Sequence, residues 1–157
     1  IEAMRYCPEM ELVVVGDGEL REDLELKAKR AGSRIHFYGS RPDVPEILPA
    51  LDVFALASLW EGQPIALLEA LAAGIPCVAT ATEGSVEVLE DIPGGIIVPK
   101  SDPETMAAAF KRLHGNSELS IQFAKGAREG ALRRSHGATV GSLLSIYRSI
   151  SSLTGAR

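Results

Sequence analysis

Short apolar runs alternate with amphipathic helical patterns along the whole chain. The runs are four to six residues long, rich in Val, Ile, Phe and Leu, and bounded by Gly, Pro or Asp. This composition and length are typical of buried β-strands. The predicted strands are Leu12–Val15, Ile35–Tyr38, Asp52–Ala57, Cys77–Thr80 and Gly95–Val98.

Between these runs, apolar residues recur at helical spacing. The clearest stripes are Leu20/Leu24/Ala28/Ala31, Met106/Ala109/Phe110/Leu113 and Val140/Leu143/Leu144/Tyr147. Buried strands that alternate with helices are typical of a parallel sheet covered on both faces. The sequence therefore predicts an α/β fold with one doubly wound parallel sheet of about five strands. In such folds, ligands bind at the carboxyl ends of the strands.

Composition narrows the function classes. The 157 residues carry a formal net charge of −5 with no basic run, which argues against a nucleic-acid partner. No apolar stretch approaches the roughly 20 residues of a membrane-spanning helix. Two widely spaced cysteines, Cys7 and Cys77, fit neither a metal cluster nor a redox motif, so we expect no metal and a cytoplasmic setting.

The segment from Ser58 to Pro76 (SLWEGQPIALLEALAAGIP) is the most informative. It leaves a predicted strand, passes through a glycine-containing loop and enters a helix near Pro64, which suits the first helical position. The free amides of Ile65 and Ala66 would then face outward at a helix start, where an anion is favoured. Gly62 would let a ligand approach the backbone closely.

Glu69 is the only polar residue in the predicted helix Ile65–Ala73. A helix that is apolar nearly all round is expected to be buried, and a buried carboxylate is costly without a partner. One interpretation is that Glu69 accepts hydrogen bonds from ligand hydroxyls. The other is that Glu69 marks the one solvated stripe of the helix, and the residue pattern alone does not separate the two.

Glu61 and Glu69, with seven residues between them, Gly62 and Pro64 inside the interval and Gly74-Ile75-Pro76 after it, form a specific pattern. The pattern resembles the signature of retaining GT-B glycosyltransferases, closest to family 4, which use nucleotide-sugar donors. The resemblance covers nearly the whole chain, although His136 stands where that family usually has Trp. It implies transfer of a sugar to an acceptor with retention of anomeric configuration, with the nucleotide-sugar as substrate and no cofactor.

The resemblance also implies roles for individual residues. Glu61, as the catalytic residue, would hydrogen-bond hydroxyls of the donor sugar, and Glu69 would hold the ribose hydroxyls. The loop that contains Arg41 resembles the nucleobase contact, with an exposed turn arginine as an equally good interpretation. The donor diphosphate and sugar would meet the backbone at four positions, namely Gly62, Gln63, Ile65 and Ala66.

The sequence also departs from that family. The chain begins after the family's central strand and its Arg/Lys diphosphate clamp, so residues 1–157 are interpreted as a donor domain truncated at its N-terminal end. A missing N-terminal domain would bind a glycan, lipid or small-molecule acceptor and provide any peripheral membrane contact. The alternatives are a GT-B-fold sugar-nucleotide epimerase, a non-catalytic flavodoxin-like nucleotide-binding module, and a degenerate domain without activity.

Overall fold

The structure is a computed structural model that describes residues 1–32 and 34–154. It begins with a 3-10 helix, Glu2–Tyr6, and a second one spans Leu48–Ala50. The strands are β1 (Leu12–Val15), β2 (Ile35–Gly39), β3 (Phe54–Leu56), β4 (Cys77–Thr80) and β5 (Gly95–Val98). The helices are α1 (Arg21–Ala31), α2 (Val44–Ile47), α3 (Ile65–Ala72), α4 (Glu83–Asp91), α5 (Pro103–His114), α6 (Ser117–Arg133) and α7 (His136–Thr154).

The strands form two parallel sheets. β1 pairs with β2, and β4 lies between β3 and β5 in a three-stranded sheet. The α/β class and the parallel pairing predicted from sequence are confirmed. The prediction of one continuous sheet differs from the structure, because no ladder joins β1 to β3 in the part of the chain that it describes.

The core is built around β4, whose four residues are all buried. Because neighbouring side chains on a strand point to opposite faces, Cys77 and Ala79 pack on one side and Val78 on the other. The first side is covered by α3, α4 and α6 through Leu67, Leu71, Val88, Ile92 and Ala127. The second side is covered by α5 and the N-terminal 3-10 helix through Phe110, Leu113, Ala3 and Cys7.

The C-terminal helix α7 is less buried than its sequence pattern predicts. Its apolar stripe predicts a covered face, yet Val140, Leu143, Leu144 and Tyr147 are all exposed. Within residues 1–32 and 34–154, no helix is both long and apolar enough to cross a membrane.

Candidate functional site

The loop that joins β3 to α3, residues 57–64 (hereafter the Glu61 loop), leaves the carboxyl end of β3. The Glu61 carboxylate is half-buried there, and its Oε1 accepts a hydrogen bond of 2.9 Å from the hydroxyl of Ser58. Within the described residues, no hydrogen bond or ion pair engages Oε2. The sequence-predicted sugar-binding carboxylate is therefore fixed by one oxygen and free at the other.

Two further contacts hold the Glu61 loop from the side of β4. The hydroxyl of Thr80, at the end of β4, donates to the carbonyl of Ser58 over 2.5 Å. The amide of Gly84, in the first turn of α4, donates to the carbonyl of Glu61 over 3.0 Å. Both ends of the segment that carries Glu61 are thus hydrogen-bonded to the β4–α4 connection.

The start of α3 is open. Pro64 is the N-cap and Ile65 the first helical residue, so the prediction that Pro64 occupies the first helical position is off by one. Among the residues that the structure describes, no side chain caps this helix. The first-turn amides, including those of Ile65 and Ala66, consequently have no acceptor inside the helix. Gln63 and Gly62 are exposed, and a Cβ on Gly62 would meet nothing within 4 Å.

Glu69 lies one turn into α3 and is exposed. The expectation that this helix is buried all round is wrong, because Ile65 is 55% exposed and Ala66 and Ala72 are exposed as well. Exposure removes the desolvation cost on which the argument for a ligand rested. Among the described residues, the Glu69 carboxylate has no hydrogen-bond or ion-pair partner, so it is available to a ligand.

Two open pockets flank this region. The larger, about 600 Å³, lies between Gly62 and the start of α4 and is bordered by Thr82, Gly84 and Glu87. The smaller, about 390 Å³, lies between α3 and α6. Its wall is mostly apolar and consists of Ile65, Leu68, Glu69, Ala72, Arg128, Ala131, Leu132, Arg134 and Ser135. Glu69 therefore borders the smaller pocket, whereas the Glu61 loop reaches the larger one through Gly62.

Arg41 follows β2, and its guanidinium is already engaged. Its Nε and Nη2 donate to the two carboxylate oxygens of Asp43 over 2.7 and 2.5 Å. This forked pair raises the pKa of Arg41 and lowers the pKa of Asp43, mainly through the hydrogen bonds. The exposed-turn interpretation of Arg41 accounts for this geometry, whereas a nucleobase would compete with Asp43 for the same donors.

The sequence predicted Glu61, Glu69, Arg41 and the start of α3 as site residues, but not the residues that hold Glu61. Ser58 stands three residues before Glu61, and Thr80 and Gly84 lie beyond α3, so the contacts form only in the fold. Within the described residues, no three His, Cys, Asp or Glu side chains cluster as metal ligands would.

A family model described as glycosyl transferases group 1 matches residues 1–116. The chain belongs to the group 1 glycosyltransferases. The match includes Glu61, Glu69, the α3 start and the β4–α4 connection, so the whole candidate site lies inside the group 1 region.

Individual group 1 relatives agree with this assignment. The chain is 36% identical over 129 residues to the Escherichia coli UDP-Gal:alpha-D-GlcNAc-diphosphoundecaprenol alpha-1,3-galactosyltransferase, covering 76% of this chain and 33% of the relative. It is similar to WaaG, a glycosyltransferase involved in lipopolysaccharide biosynthesis, with 30% identity, a TM-score of 0.75, and coverage of 83% and 37%. It is also similar to Anabaena HepE in complex with UDP-glucose, with 26% identity, a TM-score of 0.84, and coverage of 96% and 43%.

These likenesses confirm a Rossmann-like domain of the kind found in GT-B glycosyltransferases. The chain spans about a third of the length of the galactosyltransferase and less than half of either solved chain. Membership in the group 1 glycosyltransferases does not support the epimerase or the flavodoxin-like alternative.

Proposed function

We propose that this chain is the donor-binding domain of an enzyme that transfers a sugar from a nucleotide-sugar to an acceptor with retention of anomeric configuration. The observation that carries the proposal is the juxtaposition, in one loop, of an oriented carboxylate and an uncapped helix start. Glu61 offers Oε2 to sugar hydroxyls, and the amides of Ile65 and Ala66 offer donors to a diphosphate.

The chemistry follows from where negative charge develops. When the bond between the anomeric carbon and the diphosphate breaks, charge accumulates on the leaving phosphate oxygen. Fixed amides and the helix dipole at the α3 start would stabilise that charge without reorganisation. For retention, the acceptor must attack the face from which the diphosphate leaves, so Glu61 would hold the sugar by its hydroxyls and leave that face open.

The nucleotide would lie along α3. Glu69 is one helical turn beyond Ile65, on the exposed side of the helix, and it is free to accept hydrogen bonds from ribose hydroxyls. Relatives and solved neighbours are described with UDP-linked sugars, which supports a UDP-sugar donor. Arg41 would contact the base only if it left Asp43.

The acceptor would be bound by polypeptide outside this sequence. The chain covers 33% of the galactosyltransferase, whose name gives a diphosphoundecaprenol-linked acceptor. β1 and β3 each have one ladder partner among the described strands, so a further parallel strand between them would complete a single sheet. We therefore keep the interpretation of this chain as an incomplete donor domain and propose a lipid-linked or free glycan as the acceptor.

The test is transfer by the full-length enzyme from a panel of nucleotide-sugars, with proton NMR of the product to read the anomeric configuration. An α-linked donor should give an α-linked product, and chelator treatment should leave the rate unchanged. Glu61→Gln should lower kcat by about a hundredfold or more, as loss of preorganised transition-state contacts does. The matched control, Glu118→Gln on the exposed start of α6, should not change kcat. A β-linked product would refute retention, and normal turnover by Glu61→Gln would refute the role of Glu61.

A further inference from the structure

We infer that Ser58 and Thr80 are positioning residues that set the orientation of the Glu61 carboxylate. The Gly84 amide supports this orientation by holding the Glu61 backbone against α4. The inference rests on the proposed function, since it assigns a purpose to the orientation of Glu61. Ser58, Thr80 and Gly84 take roles that the motif around Glu61 and Glu69 does not imply.

Ser58 contacts the Glu61 carboxylate directly. Ser58 donates its single hydroxyl hydrogen to Oε1 of Glu61 at 2.9 Å, and both side chains are half-buried. A hydrogen bond to a charged acceptor is stronger than one between neutral groups, so it restricts the rotation of the carboxylate. With Oε1 occupied, Oε2 is the oxygen presented to a ligand.

Ser58 is itself held in place by Thr80. The β3–β4 ladder ends at the pair Leu56 and Ala79, so the backbone of Ser58 lies beyond its reach. The Thr80 hydroxyl spans the gap by donating to the Ser58 carbonyl at 2.5 Å. Thr80 is 3% exposed. Without its hydroxyl, the Ser58 carbonyl would lose the partner that holds it against β4.

Gly84 holds the other end of the segment that carries Glu61. The Gly84 amide belongs to the first turn of α4 and has no acceptor within that helix, and the Glu61 carbonyl supplies one at 3.0 Å. A Cβ on Gly84 would stand 2.5 Å from the carbonyl oxygen of Gly62 and 2.8 Å from Cδ of Pro64. Any larger residue must therefore push the Glu61 loop away from α4.

The start of α4 is rigid enough to serve as this support. The Thr82 hydroxyl accepts the Ser85 amide at 3.2 Å and donates to the Ser85 hydroxyl at 2.8 Å. Both side chains are at most 1% exposed. The chain of contacts thus runs from the core at β4 and α4, through two backbone carbonyls and one serine hydroxyl, to the carboxylate.

The experiment compares Ser58→Ala, Ser58→Thr and Thr80→Val in the full-length enzyme. The control is Ser120→Ala, which removes a serine hydroxyl that donates to the Leu113 carbonyl in the α5–α6 region. We expect Ser58→Ala to lower kcat about tenfold, to leave the Kd of the nucleoside diphosphate within twofold, and to lose little thermal stability. Ser58→Thr, which retains a hydroxyl, should recover most of the rate, Thr80→Val should behave like Ser58→Ala, and Ser120→Ala should match the parent.

A second readout separates this inference from the proposed function. The carbon-13 resonance of the Glu61 carboxyl group should move in Ser58→Ala and return in Ser58→Thr, whether or not sugar is transferred. If the parent enzyme transfers no sugar, the proposed function fails and the carboxyl resonance alone decides whether Ser58 orients Glu61. If the parent is active while Ser58→Ala keeps full kcat and an unmoved Glu61 resonance, the inference is overturned and the proposed function stands.

Discussion

The three-stranded and two-stranded parts of this domain are built from similar sequence patterns but are covered to very different degrees. All four residues of β4 are buried, and β4 has core on both faces. β1 is only partly buried along its length, and the neighbouring apolar side chains Leu20, Leu26 and Tyr38 are exposed. A run of Val and Leu thus predicts that a strand forms, but it does not predict how much of that strand other elements cover.

The two parts are also held differently. Around β4, the part-buried hydrogen bond from Thr80 to Ser58 links residues 22 positions apart. The contacts around β1 include surface ion pairs between residues four positions apart, Arg21 with Asp17 and Glu25 at 3.0 and 2.9 Å. Exposed pairs of this kind contribute little to stability. The three-stranded part carries the loop with Glu61, the carboxylate that we propose holds the donor sugar.

The largest expected effect is on stability. Leu71→Ala on α3 removes a side chain with no exposed surface and should cost about 2–5 kcal/mol of unfolding free energy. The matched change Leu26→Ala, in the exposed part of α1, should cost less than about 1 kcal/mol. Urea unfolding of both variants measures the difference. Equal costs would mean that the two-stranded part is as well packed as the core.

A smaller effect is expected at Arg41, on the two-stranded side of the site. Because its guanidinium is already paired with Asp43, Arg41→Ala should weaken nucleoside-diphosphate binding by less than about threefold, within the range of an exposed ion pair. Titration calorimetry with uridine and guanosine diphosphates checks this, with Arg34→Ala as an exposed arginine control. A tenfold loss confined to one base would show that Arg41 leaves Asp43 to read the nucleobase.

Local patterns predicted the strands and missed the long-range geometry. β1, β4 and β5 have the predicted bounds, whereas the third predicted strand, Asp52–Ala57, is shortened to Phe54–Leu56, where β4 offers ladder partners. The apolar helix around Glu69 was predicted to be buried because composition does not show which face of a helix has a neighbour.

The candidate site shows the same division. Glu61, Glu69 and the α3 start follow from a compact sequence motif. The support from Ser58, Thr80 and Gly84 does not, because it depends on the packing of the β4–α4 connection against a loop some twenty residues earlier.

The central claim is that α3 binds the donor nucleotide, and Glu69 offers the most direct test. Calorimetry should compare a ribonucleoside diphosphate with its 2′-deoxy analogue against the full-length parent, Glu69→Ala and the exposed-glutamate control Glu22→Ala. Charge-assisted bonds to ribose hydroxyls contribute a few kcal/mol, so the ribonucleotide should bind Glu69→Ala about ten- to a hundredfold more weakly than the parent. The parent should prefer the ribonucleotide, Glu69→Ala should lose most of that preference, and Glu22→Ala should keep it. Equal affinity of the parent for the two nucleotides would contradict the account and leave Glu69 as a solvated residue on the outer face of α3.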